Sequence, residues 1–292
     1  MSIDALQDKI RKTKNPSVVD LNMLPEHIPH GIRQEEGSFP RGWERYCKGL
    51  LQGLKGIVPA VRFSLNAAVT YGPEGVYALT ELLRSAKEMG YYVLLDCPNA
   101  FSAMDAQRYA DVLFSEDSPY VFDGLILSAY IGSDALRPLS QKMGDHGKSL
   151  FVLARTANRS AQDLQDLLTG SRLVHMAMAD IVSRFAQPLM GKKGYSMIGA
   201  VSTATSATAT KNLRSKYPHM FLLVDGYDAP GANAKNCAAA FDRLGFGAAV
   251  CAGTSVTAAW QEENYTPEEY MDAALDAVER MKRNISRYVT VF

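Results

Sequence analysis

The side chains of this chain that could do chemistry stand within or directly after short apolar runs. Asp96 and Asp225 each follow such a run, Asp228 comes three residues after Asp225, and Arg62 lies within another run. Carboxylates beside one guanidinium can hold a cationic or hydroxyl-rich ligand, or stabilise charge that develops in a reaction. No histidine stands at these positions, and no Ser/His/Asp or Cys/His set can be assembled from them. We therefore expect neither a histidine general base nor an activated nucleophile.

The elements that must position these residues alternate along the chain. Apolar or β-branched runs are followed by segments of helical periodicity, which is typical of βαβ units and a parallel sheet. The predicted strands are Ser17–Leu21, Ile57–Leu65, Tyr91–Leu95, Gly124–Ser128, Ser149–Arg155, Tyr195–Val201, Met220–Val224 and Ala248–Ala252. The predicted helices are Arg41–Lys55, Pro73–Met89, Asp105–Leu113, Asp134–Met143, Ala161–Ala186, Ala207–Lys216, Ala234–Leu244 and Pro267–Asn284.

Eight strands, each followed by helical material, favour a closed (β/α)8 TIM barrel of the α/β class. A doubly wound open sheet is the alternative, because periodicity alone does not separate the two. We expect one domain over residues 1–292, since α/β barrels commonly reach this length as a single unit. In a barrel, the residues after each strand converge on one mouth, and the chemistry is expected there.

The composition limits the partners and the location. Lys+Arg and Asp+Glu both number 31, so the formal net charge is zero, which argues against a nucleic-acid partner. The four cysteines form no C-x-x-C pair and no zinc-type cluster, so we expect reduced thiols, no metal and no cofactor. We find no signal peptide and no apolar run that could span a bilayer, and we expect a cytoplasmic protein without a membrane partner.

Several segments together carry a resemblance to a known family. Residues 128–138 are similar to N-P-Y-x-G-x-D-S-L-x-P, and residues 151–158 are similar to F-V-L-x-R-T-S-N. Residues 71–75, 93–96 and 106–110 resemble a central signature that precedes them. In this order, from about residue 16 to residue 260, the motifs resemble the long, bacterial form of orotidine 5'-phosphate decarboxylase. The resemblance implies a TIM barrel, a carboxy-lyase activity of pyrimidine biosynthesis and a homodimer.

The same resemblance implies catalytic positions, and most of them have changed here. The family uses a Lys-Asp-Lys-Asp array, in which a carboxylate disfavours the substrate carboxylate and an ammonium stabilises and protonates the carbanion left by CO2. Asp96 keeps its identity, whereas the catalytic lysine falls at Pro98 and the second aspartate at Phe101. The strand-two lysine falls at Arg62, and a following hydroxyl residue falls at Asp105. Proline has no proton to deliver, and arginine releases its proton with difficulty.

The positions implied for ligand binding have changed in the same direction. The ribose-binding aspartate falls at Asn22, a serine that contacts the pyrimidine falls at Ala157, and the phosphate arginine falls at Thr254. Two carboxylates enter the phosphate loop, and each would repel a phosphate by about 1–4 kcal/mol at a partly screened site. The implied ligand-binding residues are Asn22, Ala157, Asn158, Asp225, Gly226, Asp228, Gly231 and Thr254.

Individual side chains also have plain structural interpretations. Arg62 and Asp96 could form a salt bridge inside the barrel, because an unpaired buried charge is costly. Asp96 could be a retained electrostatic group or a relic that is hydrogen-bonded at a strand end. Asp225 and Asp228 could belong to a solvated turn around Gly226. Cys97 has no basic neighbour in sequence, so we expect an inert thiol.

Three functions remain open. The first, which we favour, is an orotidine 5'-phosphate decarboxylase-like pseudoenzyme that lacks normal activity and acts as a homodimer, or beside a related subunit. The second is a repurposed barrel enzyme or binding subunit that takes a different, non-phosphorylated small molecule in its mouth. The third, which we rank last, is an active decarboxylase with an unusual set of residues.

Overall fold

The computed structural model describes residues 2–291 and forms a closed barrel of eight parallel strands. Each strand pairs with the next along the chain, and the last pairs with the first. The strands are β1 (Ser17–Asp20), β2 (Ala60–Ser64), β3 (Tyr92–Asp96), β4 (Gly124–Leu127), β5 (Ser149–Leu153), β6 (Ile198–Thr203), β7 (Leu222–Asp225) and β8 (Ala248–Ala252). The prediction of a single-domain (β/α)8 barrel is confirmed, and the open sheet is wrong.

Helices connect the strands on the outside of the barrel. They are α1 (Ser2–Thr13), α2 (His30–Glu36), α3 (Phe39–Gly53), α4 (Leu65–Val69), α5 (Gly72–Glu88), α6 (Ala103–Leu113), α7 (Arg137–Met143), α8 (Val174–Ala186), α9 (Ala207–Lys216), α10 (Ala234–Ala238), α11 (Thr254–Thr257) and α12 (Tyr270–Ser286). Short 3-10 helices cover Pro25–His27, Ser133–Ala135, Arg159–Asp163, Ala259–Gln261 and Pro267–Glu269. Among the described residues, no helix is both long enough and apolar enough to cross a membrane.

The first half of the predicted helix Ala161–Ala186 is wrong. A two-stranded antiparallel hairpin, Leu168–Thr169 with Arg172–Leu173, precedes α8. Gly170 makes the turn at a φ of 64°, a conformation that interrupts helical periodicity. Asp166 accepts two hydrogen bonds of 2.9 Å from the Arg155 guanidinium, and these bonds hold the segment to the end of β5.

The predicted helix Ala234–Leu244 is too long, because α10 ends at Ala238. The Asp242 carboxylate then accepts hydrogen bonds from the backbone N–H groups of Leu244 at 2.8 Å and Phe246 at 2.9 Å. A short polar side chain that satisfies nearby backbone donors offers the chain an alternative to helix. A turn therefore leads directly into β8.

Two aromatic rings fill the barrel interior. Phe151 on β5 meets Phe221 edge to face, with ring centroids 5.9 Å apart. A Cβ at Gly124 would lie 2.9 Å from the Phe151 ring, and a Cβ at Gly199 would lie 3.2 Å from it. Glycine on the neighbouring strands thus makes room for the ring, so the centre is a packed core and not a pore.

Helix α1 covers the N-terminal ends of the strands. Ser2 donates a 2.8 Å hydrogen bond to the carbonyl of Asp123, just before β4. Gln7 accepts a 3.2 Å bond from the N–H of Gly247, just before β8. The apolar face of α1, including Leu6 and Ile10, is fully buried. The chemistry predicted at the mouth therefore lies at the opposite, C-terminal end of the barrel.

Candidate functional site

Three strands of the barrel end in aspartate, and their carboxylates meet in the mouth. Asp20 ends β1, Asp96 ends β3 and Asp225 ends β7. Arg62 on β2 is paired in register with Asp20, which places it at the same level of the barrel. Side chains from the adjacent strands β1 and β3 and from β7 therefore converge on the guanidinium. Asp20, Arg62, Asp96 and Asp225 are called the Arg62 cluster below.

Each of the three carboxylates contacts the guanidinium of Arg62. Nε and Nη2 donate to the two oxygens of Asp96 at 2.8 and 2.9 Å, a bidentate pair. Nη1 donates to Asp225 at 3.0 Å and lies 3.3 Å from an oxygen of Asp20. The salt bridge between Arg62 and Asp96 that we considered at the sequence level is confirmed. Two further carboxylates share the same cation.

The charges in the Arg62 cluster do not balance, and the pKa values reflect this. Burial raises the pKa of Asp20 to about 7, with Arg62 opposing the rise and the charges of Asp96 and Asp225 adding to it. Burial also raises the pKa of Asp96, although Arg62 favours its charged form. Burial disfavours the charge of Arg62, yet Asp96, Asp20 and Asp225 together hold its pKa well above the ordinary value. Near neutral pH the Arg62 guanidinium is therefore charged, and the Asp20 carboxyl is present in both its protonated and its charged form.

Asp20 was missed at the sequence level, where the motif comparison pointed to Asn22. In the structure, Asn22 supports Asp20: its backbone N–H and its Nδ2 donate to Asp20 Oδ1 at 3.0 and 2.6 Å. The Oδ1 of Asn22 is buried and finds no hydrogen-bond partner among residues 2–291. A signal for Asp20 was present, because the runs Ser17–Asp20, Tyr92–Asp96 and Leu222–Asp225 all end their strands with aspartate.

The block after β3 lies at the rim of the mouth and not in the Arg62 cluster. Pro98 is half-buried in the loop, and the Phe101 side chain is 87% exposed. Asp105 lies in the first turn of α6, where it accepts a 2.9 Å hydrogen bond from Ser102 and pairs with Arg108 at 3.4 Å. The structure therefore places Asp105 in a helix cap and not beside the carboxylates.

Cys97, which follows Asp96, is a poor nucleophile. Its side chain is buried, and burial together with the charge of Asp96 raises the pKa of its thiol to about 12. A thiol with this pKa is almost fully protonated near neutral pH. This environment supports the expectation of an inert thiol.

The loop after β7 packs tightly against the loop after β5. Gly226 has a φ of 76°, and a Cβ at this position would lie 2.2 Å from the Cβ of Ala157. The Gly226 N–H donates to Asp225 at 2.9 Å, so the turn also holds that carboxylate in the Arg62 cluster.

Two further residues that the resemblance implies for ligand binding are exposed. Asn158 accepts a 2.7 Å bond from Thr156, and Gly231 has a φ of 87°.

Asp228 extends from the β7 loop towards the end of β8. Its Oδ2 accepts a 2.6 Å hydrogen bond from the backbone N–H of Gly253, the residue that precedes α11. Thr254, at the position where the resemblance implies an arginine, is exposed and begins α11. The Asp228 carboxylate therefore accepts the hydrogen bond of a backbone N–H group at the junction of the β7 and β8 loops.

The described residues give no arrangement suited to a metal. Within residues 2–291, no group of three or more His, Cys, Asp or Glu side chains could hold a metal ion. In the Arg62 cluster, the guanidinium already supplies the positive charge between the three carboxylates.

Comparisons with known proteins agree with the fold and with the sequence motifs. No family model matches the chain. Orotidine 5'-phosphate decarboxylase of Rhodopirellula baltica is 28% identical over 270 residues, 89% of each chain. The enzyme of the same name from Clostridium acetobutylicum is 26% identical over 288 residues, 98% of this chain and 99% of its own.

Solved structures share the barrel over almost its whole length. Leishmania donovani OMP decarboxylase superposes with a TM-score of 0.72 at 21% identity, covering 97% of this chain and 98% of its own. Plasmodium berghei orotidine 5'-monophosphate decarboxylase gives a TM-score of 0.75 at 15% identity, covering 97% and 99%. The resemblance seen in the motifs is thereby confirmed, since the similarity to proteins of this name extends over nearly the full chain.

Proposed function

We propose that this orotidine 5'-phosphate decarboxylase-like barrel lacks normal decarboxylase activity and persists as a pseudoenzyme. One observation carries the proposal: the only cation at the centre of the described mouth, Arg62, is engaged by the carboxylates of Asp20, Asp96 and Asp225. The catalytic positions implied by the resemblance hold Pro98 and Phe101 in place of an ammonium and a carboxylate.

The chemistry explains why these substitutions matter. Loss of CO2 from orotidine 5'-phosphate leaves a carbanion that must be stabilised by a positive charge and then protonated. Pro98 has no side-chain proton to give. Arg62 keeps its proton, because its three carboxylate neighbours raise its pKa well above the ordinary value despite its burial. Neither group can perform the proton transfer.

A direct test is the change in absorbance of orotidine 5'-phosphate in the presence of purified protein. We expect no rate above that of the buffer, while an intact orotidine 5'-phosphate decarboxylase run in parallel gives rapid loss of the signal. Turnover that disappears in the Asp96→Ala variant would overturn the proposal and support an active decarboxylase with an unusual set of residues. Turnover that survives in Asp96→Ala and stays with the chain through purification would overturn the proposal as well, whereas turnover that separates from the chain comes from a contaminating enzyme.

A second function is a repurposed barrel, enzyme or binding subunit, that takes a non-phosphorylated small molecule. It is favoured by a mouth that its own rim residues do not fill. Phe101 is exposed, and Tyr227 packs on the core near Asn284 of α12. A thermal-shift screen with nucleosides, nucleotides and sugars tests it, because a ligand of the folded state raises the melting temperature. A shift that Asp225→Ala abolishes would support this function over the first.

The pseudoenzyme is further proposed to be a homodimer. Phe101, Met104 and Ile131 lie after β3 and β4 and are 87%, 62% and 44% exposed. Exposed apolar patches of this kind commonly mark protein interfaces. Sedimentation should give twice the chain mass of 32.0 kDa. The Phe101→Asp variant should be monomeric, while Val112→Asp, an exposed control on α6, should remain dimeric. A monomeric wild type would contradict the dimer, and co-purification of a different subunit would replace it.

A further inference from the structure

The junction of the β7 and β8 loops is held together by two hydrogen bonds. The N–H of Tyr227 donates to the carbonyl of Cys251 at 3.3 Å, and the N–H of Gly253 donates to Asp228 Oδ2 at 2.6 Å. The β7 loop turns back on itself, since the N–H of Ala229 bonds to the carbonyl of Gly226 at 3.0 Å. This turn brings Asp228 back over the end of β8.

In (β/α)8 barrels this junction often binds a phosphate group. The loops after strands seven and eight and the start of a short extra helix supply backbone N–H donors to the anion. Here α11 is that short helix, and Gly253 is the residue before it. The Gly253 N–H is already bonded to a carboxylate, which is an anion of similar acceptor chemistry to phosphate.

The surroundings of this bond make a second anion unfavourable. Gly253 lies beside Asp20: a Cβ at Gly253 would be 3.5 Å from the Asp20 Cβ. Asp20 of the Arg62 cluster is therefore close to the Gly253 donor. Thr254 supplies no positive charge in compensation. A phosphate entering the junction would have to displace Asp228 from its donor and would lie near the side chain of Asp20.

We propose that the Asp228 carboxylate accepts the hydrogen bond that the Gly253 N–H could otherwise donate to a phosphate. Asp228 would thereby lower the affinity of the mouth for ligands that carry a phosphate at this junction. The ligand class that this mouth takes is a neutral or cationic small molecule. The inference deepens the second proposed function and rests on it, because that function assigns a small-molecule ligand to the mouth. Asp228 is a specificity-determining residue, because it acts by holding the donor that a phosphate would need.

Titration calorimetry with inorganic phosphate and with uridine monophosphate tests the proposal on the full chain. The wild type should show no saturable binding of either probe. Asp228→Ala frees the donor and removes one like charge, so it should bind both probes saturably, at least about tenfold more tightly than the weakest affinity that the calorimetry detects. Asp228→Asn keeps an acceptor but loses the charge, so its affinity should lie between the two.

A matched control is Asp145→Ala, which removes an exposed carboxylate from the opposite end of the barrel before β5. It should behave as the wild type does. Equal phosphate affinity in the wild type and in both Asp228 variants would overturn the inference. A gain in phosphate affinity in Asp145→Ala equal to that in Asp228→Ala would also overturn the inference, because it would show an effect of net charge alone. If Asp228→Ala fails to fold, the comparison of Asp228→Asn with the wild type decides. These outcomes are separate from the turnover of orotidine 5'-phosphate and from the thermal-shift screen, which test the two proposed functions.

Discussion

Arg62 and Asp96 form two parallel hydrogen bonds, of 2.8 and 2.9 Å, between neighbouring strands of the barrel. Their side chains are only 12% and 18% exposed, so solvent screens the pair weakly. A bidentate guanidinium–carboxylate pair is both strong and directional. This pair engages the Asp96 carboxylate in a structural contact, and stability measurements can detect that contact.

Replacing Asp96 should destabilise the barrel. Asp96→Ala removes the bidentate partner of a buried guanidinium, and breaking such a pair typically costs about 3–5 kcal/mol. Asp20 and Asp225 still contact Arg62, so we expect about 1–3 kcal/mol here. Urea unfolding at neutral pH measures the loss. Asp105→Ala, at the helix cap, should cost about 1 kcal/mol or less. An equal loss of unfolding free energy in Asp96→Ala and Asp105→Ala would show that the Arg62–Asp96 pair stabilises the fold no more than an exposed helix-cap residue does.

The contribution of Asp20 to the stability of the protein should fall as the pH rises from about 4 to about 7. The pKa of Asp20 rises from its ordinary value of 3.8 to about 7 in the folded chain, so in this range the folded state binds the extra proton. Folding is therefore favoured at the acidic end of the window, and this contribution is lost above the folded pKa. Asp20→Asn should flatten this slope and gain at least about 1 kcal/mol relative to the wild type at pH 8.

Denaturant titrations at several pH values between 4 and 8 measure both effects. Asp145→Asn, which changes an exposed carboxylate far from the mouth, is the control and should keep the wild-type slope. A wild-type slope retained in Asp20→Asn would mean that another group binds the proton, and the assignment to Asp20 would be wrong.

The four cysteines should be unreactive in the native protein. Cys47, Cys97, Cys237 and Cys251 are all buried. Burial raises the pKa of the Cys97 and Cys237 thiols to about 12, and those of Cys47 and Cys251 well above the ordinary value. A thiol reagent should titrate no cysteine before unfolding and four after it. Rapid native labelling of Cys97 would contradict the conclusion that its thiol is inert.

Gly226 should tolerate no side chain. Gly226→Ala faces a φ of 76° and a contact of 2.2 Å with the Ala157 Cβ, so we expect a loss of about 1–3 kcal/mol in the free energy of unfolding. Ala157→Gly removes the contact but not the backbone strain. The double variant should therefore recover part of the loss, which a double-mutant cycle measures. Strict additivity of the two changes would show that they do not touch.

The fold was largely predictable because each strand is a local pattern. Ala248–Ala252 and Ala207–Lys216 were predicted with the bounds that the structure has. The hairpin before α8 was not predicted, because the bidentate bond from Arg155 to Asp166 that holds its segment joins residues eleven apart and leaves no periodic trace. A helix predicted from local periodicity is therefore too long where a contact between residues distant in sequence ends the real helix.

The contacts of the candidate site were predictable only in part. The assignment of Arg62, Pro98 and Phe101 to catalytic positions rests on the motifs and stays a prediction, whereas the pairing of Arg62 with Asp96 followed from the cost of a buried charge and is observed. Asp20 was missed because the motif comparison matched single positions along the chain and pointed to Asn22. The contact between Asp20 and Arg62 arises only when β1 pairs with β2 in the barrel. The bond from Gly253 to Asp228 depends on how two loops fold back, which no spacing in the sequence encodes.

Helix α1 covers one end of the barrel, so the mouth is its accessible end. Because Ser2 and Gln7 fasten it across the N-terminal ends of the strands, a molecule that reached Arg62 would enter and leave on the same side. The start of α1 faces away from that side. An affinity tag or surface anchor attached ahead of Ser2 would thus emerge on the far face of the protein. Immobilised in this way, the chain would present its mouth to the passing solution, a convenient orientation for capturing whatever binds there.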